Sequence, residues 1–400
     1  MRYLITRSHI NKQINRVVNR RRYTKIFTND FKPINIKHVS FLGDNKYKTR
    51  LITAKSNDDS LRLCKKSGSW VSIRFGGSRV FFWTSRYLNY FKDLSTVTHT
   101  RNFGNGIIRS ADFLILRDAC ISNTPKPNSL NIYSHEIKKS KQIPDIDNAF
   151  YFCVNGSNSF QHFIQDLLPI LSLAQPFLQE NPSMPLILTK PNMKFNSFEE
   201  FFKLIDVKNP KIFIDDDKLC VRNLHVINFN PINAIYSLPQ ELYAKMHQSI
   251  EKAIPKIGPK QKNLVLLVRN EETRNFSNLV EICERISQKA ESFNLTPVFI
   301  NPSNLTLEEV IEVMSNAEYI FGVHGGAMYN FLFAPPGATV VEFITTTDTD
   351  SLLHIIMSSG LNYFPYAIKS GKGDTSLTIT VDDLDCIFES LDKSRRREDS

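Results

Sequence analysis

Four hundred residues, 42% apolar and 22% charged, carry enough hydrophobic surface for two or three packed domains, which excludes a disordered or fibrous chain. The formal net charge of +10 is concentrated at one end, since residues 1–50 hold thirteen Lys or Arg against two Asp or Glu and the remainder is close to neutral. A nucleic-acid partner is therefore not expected, and the basic arm around Arg20, Arg21 and Arg22 reads as solvated surface or as a peripheral contact with anionic membrane headgroups.

Six cysteines lie far apart with no CxxC and no neighbouring His at ligand spacing, so a metal site is not expected. Their apolar surroundings, as at Cys153, suggest free buried thiols of a reducing compartment. The sequons at Asn155, Asn275, Asn294 and Asn304 are no more than chance gives in an Asn-rich chain. Charge interrupts the first residues before an apolar region of signal length develops, and no window approaches the roughly 20 apolar residues of a membrane span. The expectation is a cytoplasmic protein, free or held at a membrane surface by the basic arm; a Golgi or endoplasmic-reticulum lumen follows if a signal lies upstream of Met1.

In chain order, residues 1–100 are the basic arm and a mixed lead-in. The unit 101–255 opens with β-rich runs near Gly106–Ile108 and Phe113–Leu116. Strands at Phe150–Val154, Pro185–Leu188, Ile212–Ile214 and Leu224–Ile227 then accompany helices at Phe160–Leu178 and 239–253. The Pro- and Gly-containing stretch Ile254–Lys260 reads as a linker. The unit 256–375 is the most legible. Strand Leu264–Val268 precedes a helix carrying Leu279, Ile282, Cys283, Ile286, Ala290 and Phe293 behind a polar Asn275/Ser277 start. Strand Pro297–Ile300 follows, then a helix opened by a Thr306–Glu309 capping box, and strand Tyr319–Phe321. After the glycine loop come a short helix, strand Thr339–Phe343 and a helix over Asp350–Ser359 stopped by Gly360. Residues 376–400 read as a tail. The pattern is α/β, with two Rossmann-like domains facing a cleft.

The loop Gly322-Val323-His324-Gly325-Gly326-Ala327 is the strongest candidate site. Three glycines at a strand's carboxyl end let backbone amides approach a phosphate, with a helix N-terminus behind them. His324 can bond a diphosphate oxygen there, although a tight turn with a hydrogen-bonded His gives the same pattern. Glu342 closes the next strand at the same edge, where carboxylates accept from ribose hydroxyls or end in a salt bridge. Arg269 and Arg274 at that rim suit bidentate phosphate contact, or an ion-pair cluster with Glu271 and Glu272. His162 and Asp166, four apart on the first helix of the other unit, have the spacing of an oriented general base and equally of a surface pair. Asp215-Asp216-Asp217 contains an Asp-x-Asp spacing but reads as a solvated acidic turn.

These pieces, in this order, resemble glycosyltransferase family 61, which includes the EGF-domain and dystroglycan N-acetylglucosaminyltransferases and the plant xylan arabinosyl- and xylosyltransferases. The resemblance covers roughly 100–370. It is carried by Val323 to Ala327, by Asn330-Phe331-Leu332-Phe333-Ala334-Pro335-Pro336-Gly337, by Val341-Glu342, by Leu267-Val268-Arg269 with Arg274, and by Phe160-Gln161-His162-Phe163 with Asp166. It implies a GT-B-type fold, an inverting transfer from a UDP-sugar to a hydroxyl of a glycan or glycoprotein, no bound cofactor and no obligatory metal. It puts Arg269, Arg274, Gly322, His324, Gly325, Gly326, Ala327, Asn330 and Glu342 on the donor side, with His162, Asp166 and His324 as the catalytic groups. The family's usual His-Gly-Ala-Gly loop reads His324-Gly325-Gly326-Ala327 here, and Gln161 stands where an aromatic residue is usual. A non-catalytic carbohydrate- or nucleotide-binding protein on the same fold is the alternative reading, and a pyruvyl or phosphoryl transferase a further one.

Overall fold

Alternating apolar runs and amphipathic stretches resolve into two sheets with helices packed on them. The computed structural model describes residues 145–152, 159–190, 197–214, 218–230, 240–254, 262–269, 275–344 and most of 352–396. It also gives strand backbone at 36–40, 62–67, 70–75, 78–83, 110–122 and 138–139. Arg274, Asp215 to Asp217, the 255–260 linker and most of the helix expected at Asp350–Ser359 lie outside the described residues.

In chain order, β1 (Ile36–Ser40) belongs to the first sheet, while β2 (Arg62–Ser67), β3 (Trp70–Phe75) and β4 (Ser78–Trp83) form a separate antiparallel sheet. The first sheet continues with β5 (Ser110–Ser122), β6 (Lys138–Lys139), β7 (Ile146–Tyr151), β8 (Leu186–Thr189), β9 (Lys211–Ile214) and β10 (Lys218–Asn230). Its order is β1-β5-β10-β7-β8-β9, with β6 beside β5. Strands β10, β7, β8 and β9 run parallel, whereas β1 and β10 both flank β5 antiparallel, so the β-rich lead-in forms one wing of this sheet. Cys220 on β10 lies in register with Cys120 on β5. Cys220 is disulfide-bonded, which corrects the expectation of free thiols throughout; Cys283 and Cys386 form no disulfide.

The helix expected at Phe160–Leu178 is interrupted. A short α1 (Phe160–His162) passes into a π-helical turn at Phe163–Leu167 and then into α2 (Leu168–Glu180). Pro169 supplies the reason. It has no N–H to give the carbonyl of Gln165 four residues back, and the Tyr243 hydroxyl donates to that carbonyl at 3.3 Å instead. Tyr243 belongs to α4 (Gln240–Ala253), which follows α3 (Phe198–Leu204).

The second sheet is wholly parallel. Its strands are β11 (Asn263–Leu267), β13 (Thr296–Ile300), β14 (Ala317–Val323), β15 (Thr339–Ile344) and β16 (Asn362–Ala367), in the order β13-β11-β14-β15-β16. Continuous apolar runs such as Leu264 to Leu267 are needed because the central strands are covered on both faces. Between them run β12 (Asn275–Phe276), α5 (Leu279–Ser292) and α6 (Leu307–Ser315), the last opened by the expected Thr306–Glu309 capping box. Asn275 does not start a helix. It pairs through β12 with β17 (Ser376–Leu377), and the Asn278 amide donates to Ile379 O at 2.8 Å, so this polar segment is spent on holding the C-terminus. Within the stretch read as a tail, residues 376–396 pack on the second sheet. Helix α7 (Val381–Arg396) buries Leu384, Ile387, Phe388 and Leu391 against the sheet and α5, each side chain worth about 1.5–3 kcal/mol.

One core crosses from the first sheet's helices to the second sheet, joining Phe163, Phe201 and Leu242 to Val265, Met328 and Phe331. The rings of Phe201 and Phe333 stack at 6.1 Å. The expected α/β architecture with two Rossmann-like sheets is present, and its two halves meet through shared apolar packing.

Candidate functional site

The strand order of the second sheet places its crevice. In a 2-1-3-4-5 arrangement the chain leaves the first strand toward one edge and returns to the other side of it, and open α/β sheets bind ligands at that reversal, here beyond the carboxyl ends of β11 and β14. Leu267, Gly322 and Glu342 share one rung across β11, β14 and β15. Arg269 and His324 each stand two residues beyond it on neighbouring strands, both half-buried. The fold therefore places at one rim of the sheet two residues, Arg269 and His324, that are 55 positions apart in sequence.

Within the loop the three glycines differ in what they do. A Cβ on Gly322 would overlap Sδ of Met328 and lie 3.3 Å from Cβ of Leu267, so this glycine serves the packing of the returning chain. Gly325 has φ 150°, a conformation that side chains rarely adopt, and it is buried. Gly326 has open space where a Cβ would stand. The exchange of glycine and alanine at 326 and 327 thus leaves intact the two positions where the fold requires glycine. The chain then runs as a 3₁₀ helix over Gly326–Phe333, where the sequence pattern places a short helix. Asn330 is buried, and its amide donates to Ala327 O at 2.8 Å, which closes that turn internally. His324, Gly326 and Ala327 are the part of the loop open to solvent.

Of its two readings, Glu342 takes the paired one. It is wholly buried, with Oε1 2.5 Å from Nδ1 of His324 and Oε2 accepting from the Tyr363 hydroxyl at 2.6 Å. Both oxygens are engaged within the protein, so the direct ribose contact read from the sequence is replaced by an orienting contact to His324. With Nδ1 held by Glu342, Nε2 is the ring nitrogen that can address a ligand.

On the other half, His162 Nδ1 lies 2.9 Å from Asp166 Oδ2, and Gln165 Nε2 donates to the same oxygen at 3.0 Å. Gln165 and Asp166 are buried and His162 is partly exposed, so the imidazole is the group of this cluster that meets solvent. Burial pushes the Asp166 carboxyl above its ordinary value, against the opposing pull of His162 and Gln165. The π turn carries both buried members of the cluster. Gln161, one residue before His162, donates to the Tyr329 hydroxyl at 2.7 Å, linking α1 to the 3₁₀ helix behind the His324 loop. Gln165, Tyr329 and Tyr363 were not read from the sequence. Pro169 was the available signal for the π turn; Tyr363 lies in an ordinary apolar strand and carries none.

Among the described residues no group of three or more His, Cys, Asp or Glu could hold a metal ion, and no helix is long and apolar enough to cross a membrane.

Residues 160–341 match the family model described as Glycosyltransferase 61, so the resemblance carried by the two His-containing motifs extends over the whole segment between them. Two curated relatives come from Oryza sativa subsp. japonica. Alpha-1,3-arabinosyltransferase XAT2 is 25% identical over 281 residues, and alpha-1,3-arabinosyltransferase XAT3 is 23% identical over 282. Each match covers 60% of this chain and 45% of the relative, so the chain spans under half the length of these relatives. Among solved structures, the E. coli heptosyltransferase WaaC with ADP aligns at 10% identity and TM-score 0.30, covering 62% of this chain and 99% of that one. The dodecameric iron-containing heptosyltransferase TibC in complex with ADP-D-beta-D-heptose aligns at 10% identity and TM-score 0.31, covering 75% and 86%. Scores this low do not define a shared fold, and the assignment of architecture rests on strand order and direction.

Proposed function

We propose that this chain, similar over its central segment to glycosyltransferase family 61, is an inverting glycosyltransferase that moves a sugar from a UDP-linked donor to a hydroxyl of a glycan or glycoprotein. What supports the reading is that His324, oriented by a buried carboxylate, follows a central strand of a parallel sheet at the same carboxyl-end rim as Arg269. A departing nucleoside diphosphate develops negative charge, and a fixed imidazole, a guanidinium and loop amides at Gly326 and Ala327 are donors suited to that charge. Arg274 would join them. The acceptor hydroxyl would lose its proton to His162, whose ring is oriented by Asp166 on the facing half. In this scheme the oxygen–anomeric carbon bond forms as the bond to the diphosphate breaks. The proton goes to His162 and the electron pair leaves with the diphosphate.

The Cys220 disulfide supports an oxidising compartment, a secretory lumen or the cell exterior, over the cytoplasm.

The test is thermal unfolding with a panel of nucleoside diphosphates and UDP-sugars, with and without EDTA, because a ligand of the native state raises the midpoint. Stabilisation by UDP or a UDP-sugar that survives EDTA and is lost in His324→Ala is the expected result. A cooperative transition that no nucleotide moves would overturn the proposal.

A further inference from the structure

We propose that Tyr363 is a positioning residue for His324, acting through Glu342. Its effect on turnover rests on the transferase reading; its effect on the His324 ring does not. The three side chains come from the loop after β14, from β15 and from β16, consecutive strands of the parallel sheet. Tyr363 and Glu342 are both wholly buried, and the phenolic hydroxyl donates to Oε2 at 2.6 Å. A carboxylate shut away from water needs donors on its oxygens, and Glu342 has one on each: Tyr363 on Oε2 and His324 Nδ1 on Oε1. Phenylalanine would fill nearly the same volume at 363, so packing alone does not call for a hydroxyl there. Its contribution is to fix the rotation of the Glu342 carboxylate.

That rotation sets the imidazole. With Oε2 tied to β16, Oε1 is aimed at the loop and captures Nδ1 of His324, which turns Nε2 away from the sheet interior. Without the hydroxyl, the carboxylate turns to find another donor and His324 loses its anchor. This is the same logic by which carboxylates behind a histidine select its tautomer and ring orientation in other sites.

The experiment compares wild type, Tyr363→Phe and Glu342→Gln by nitrogen NMR of histidine-labelled protein, assigning the His324 ring from the signals missing in His324→Asn. Wild type should show a hydrogen-bonded proton on Nδ1. In Tyr363→Phe the His324 ring signals should shift, with the thermal midpoint held within a few degrees. Turnover should fall by about ten- to a hundredfold, with a much smaller change in the Michaelis constant for donor. Glu342→Gln keeps an acceptor oxygen for Nδ1 and an amide that the tyrosine oxygen can accept from, so its ring signals should stay closer to wild type. Unchanged His324 signals in a folded Tyr363→Phe protein would overturn the proposal. Should that variant not fold, a Glu342→Gln protein with His324 signals moved as far as in Glu342→Ala would do so. Shifted ring signals in a protein for which no sugar transfer is found would sink the transferase reading and leave the positioning role standing.

Discussion

Gly322 offers a test in which two opposing effects can be separated by magnitude. It sits near the carboxyl end of β14, on the rung between Leu267 and Glu342, two residues before His324. An alanine methyl there would overlap Met328 Sδ, with Met328 Cγ at 3.5 Å and Leu267 Cβ at 3.3 Å. Met328 is wholly buried and Leu267 is 3% exposed, so neither has solvent to move into. Overpacking of this kind costs about 1–3 kcal/mol, whereas replacing glycine by alanine inside a strand gains only about 0.5–1 kcal/mol in backbone entropy. The clash should win, and Gly322→Ala should destabilise. Met328→Ala alone removes core atoms and should cost about 2–5 kcal/mol. Once Met328 is truncated the obstruction is gone, so adding Gly322→Ala should be neutral or slightly stabilising. Urea unfolding of the four proteins, read as midpoints at constant slope, gives the cycle. The expected coupling is roughly 1–3 kcal/mol. Additivity within about 0.5 kcal/mol would show that Gly322 is not held by Met328, and that the loop's entry is shaped by something else.

Two further outcomes are expected. Hydrogen bonds from Arg285, with Nε 2.9 Å from Asp385 Oδ1, hold the Asp385 carboxyl below its ordinary value and tie α5 to α7. A depressed carboxylate stabilises the fold above the unfolded value near 3.8 and loses that contribution as pH falls through the folded value, so Asp385→Asn should flatten the acid limb of stability below about pH 4. Unchanged acid unfolding in the variant would show the pair contributes nothing. In protein made through an oxidising secretory route, the peptide containing Cys220 should resist alkylation in denaturant until a reductant is added; alkylation without reductant would remove the argument for an oxidising compartment.

Much of the second sheet was legible because its signals are local. Buried parallel strands read as apolar runs, the Thr306–Glu309 box caps its helix as the spacing requires, and His324 directly follows the strand end Gly322-Val323. Asn275 and Ser277 were misread because a polar pair before an apolar helix looks like a cap. Their actual partners, Ser376 and Leu377 of β17 and the Thr378 hydroxyl, lie about a hundred positions away. The break at Phe163–Leu167 was visible in principle through Pro169, but only the hydroxyl of Tyr243, 78 residues on, shows how the freed carbonyl is satisfied.

The amino-acid sequence by itself determined the α/β class, the strand-loop frame around His324 and the His162–Asp166 spacing, because each depends on neighbours a few positions apart. Tertiary structure alone decided that Glu342 faces inward to His324 rather than outward to a sugar, and that Tyr363 holds it there. It also decided that Arg269 and His324 share a rim. Those relations follow from strand order and from the burial of a carboxylate, and a pattern of residue types along the chain specifies neither.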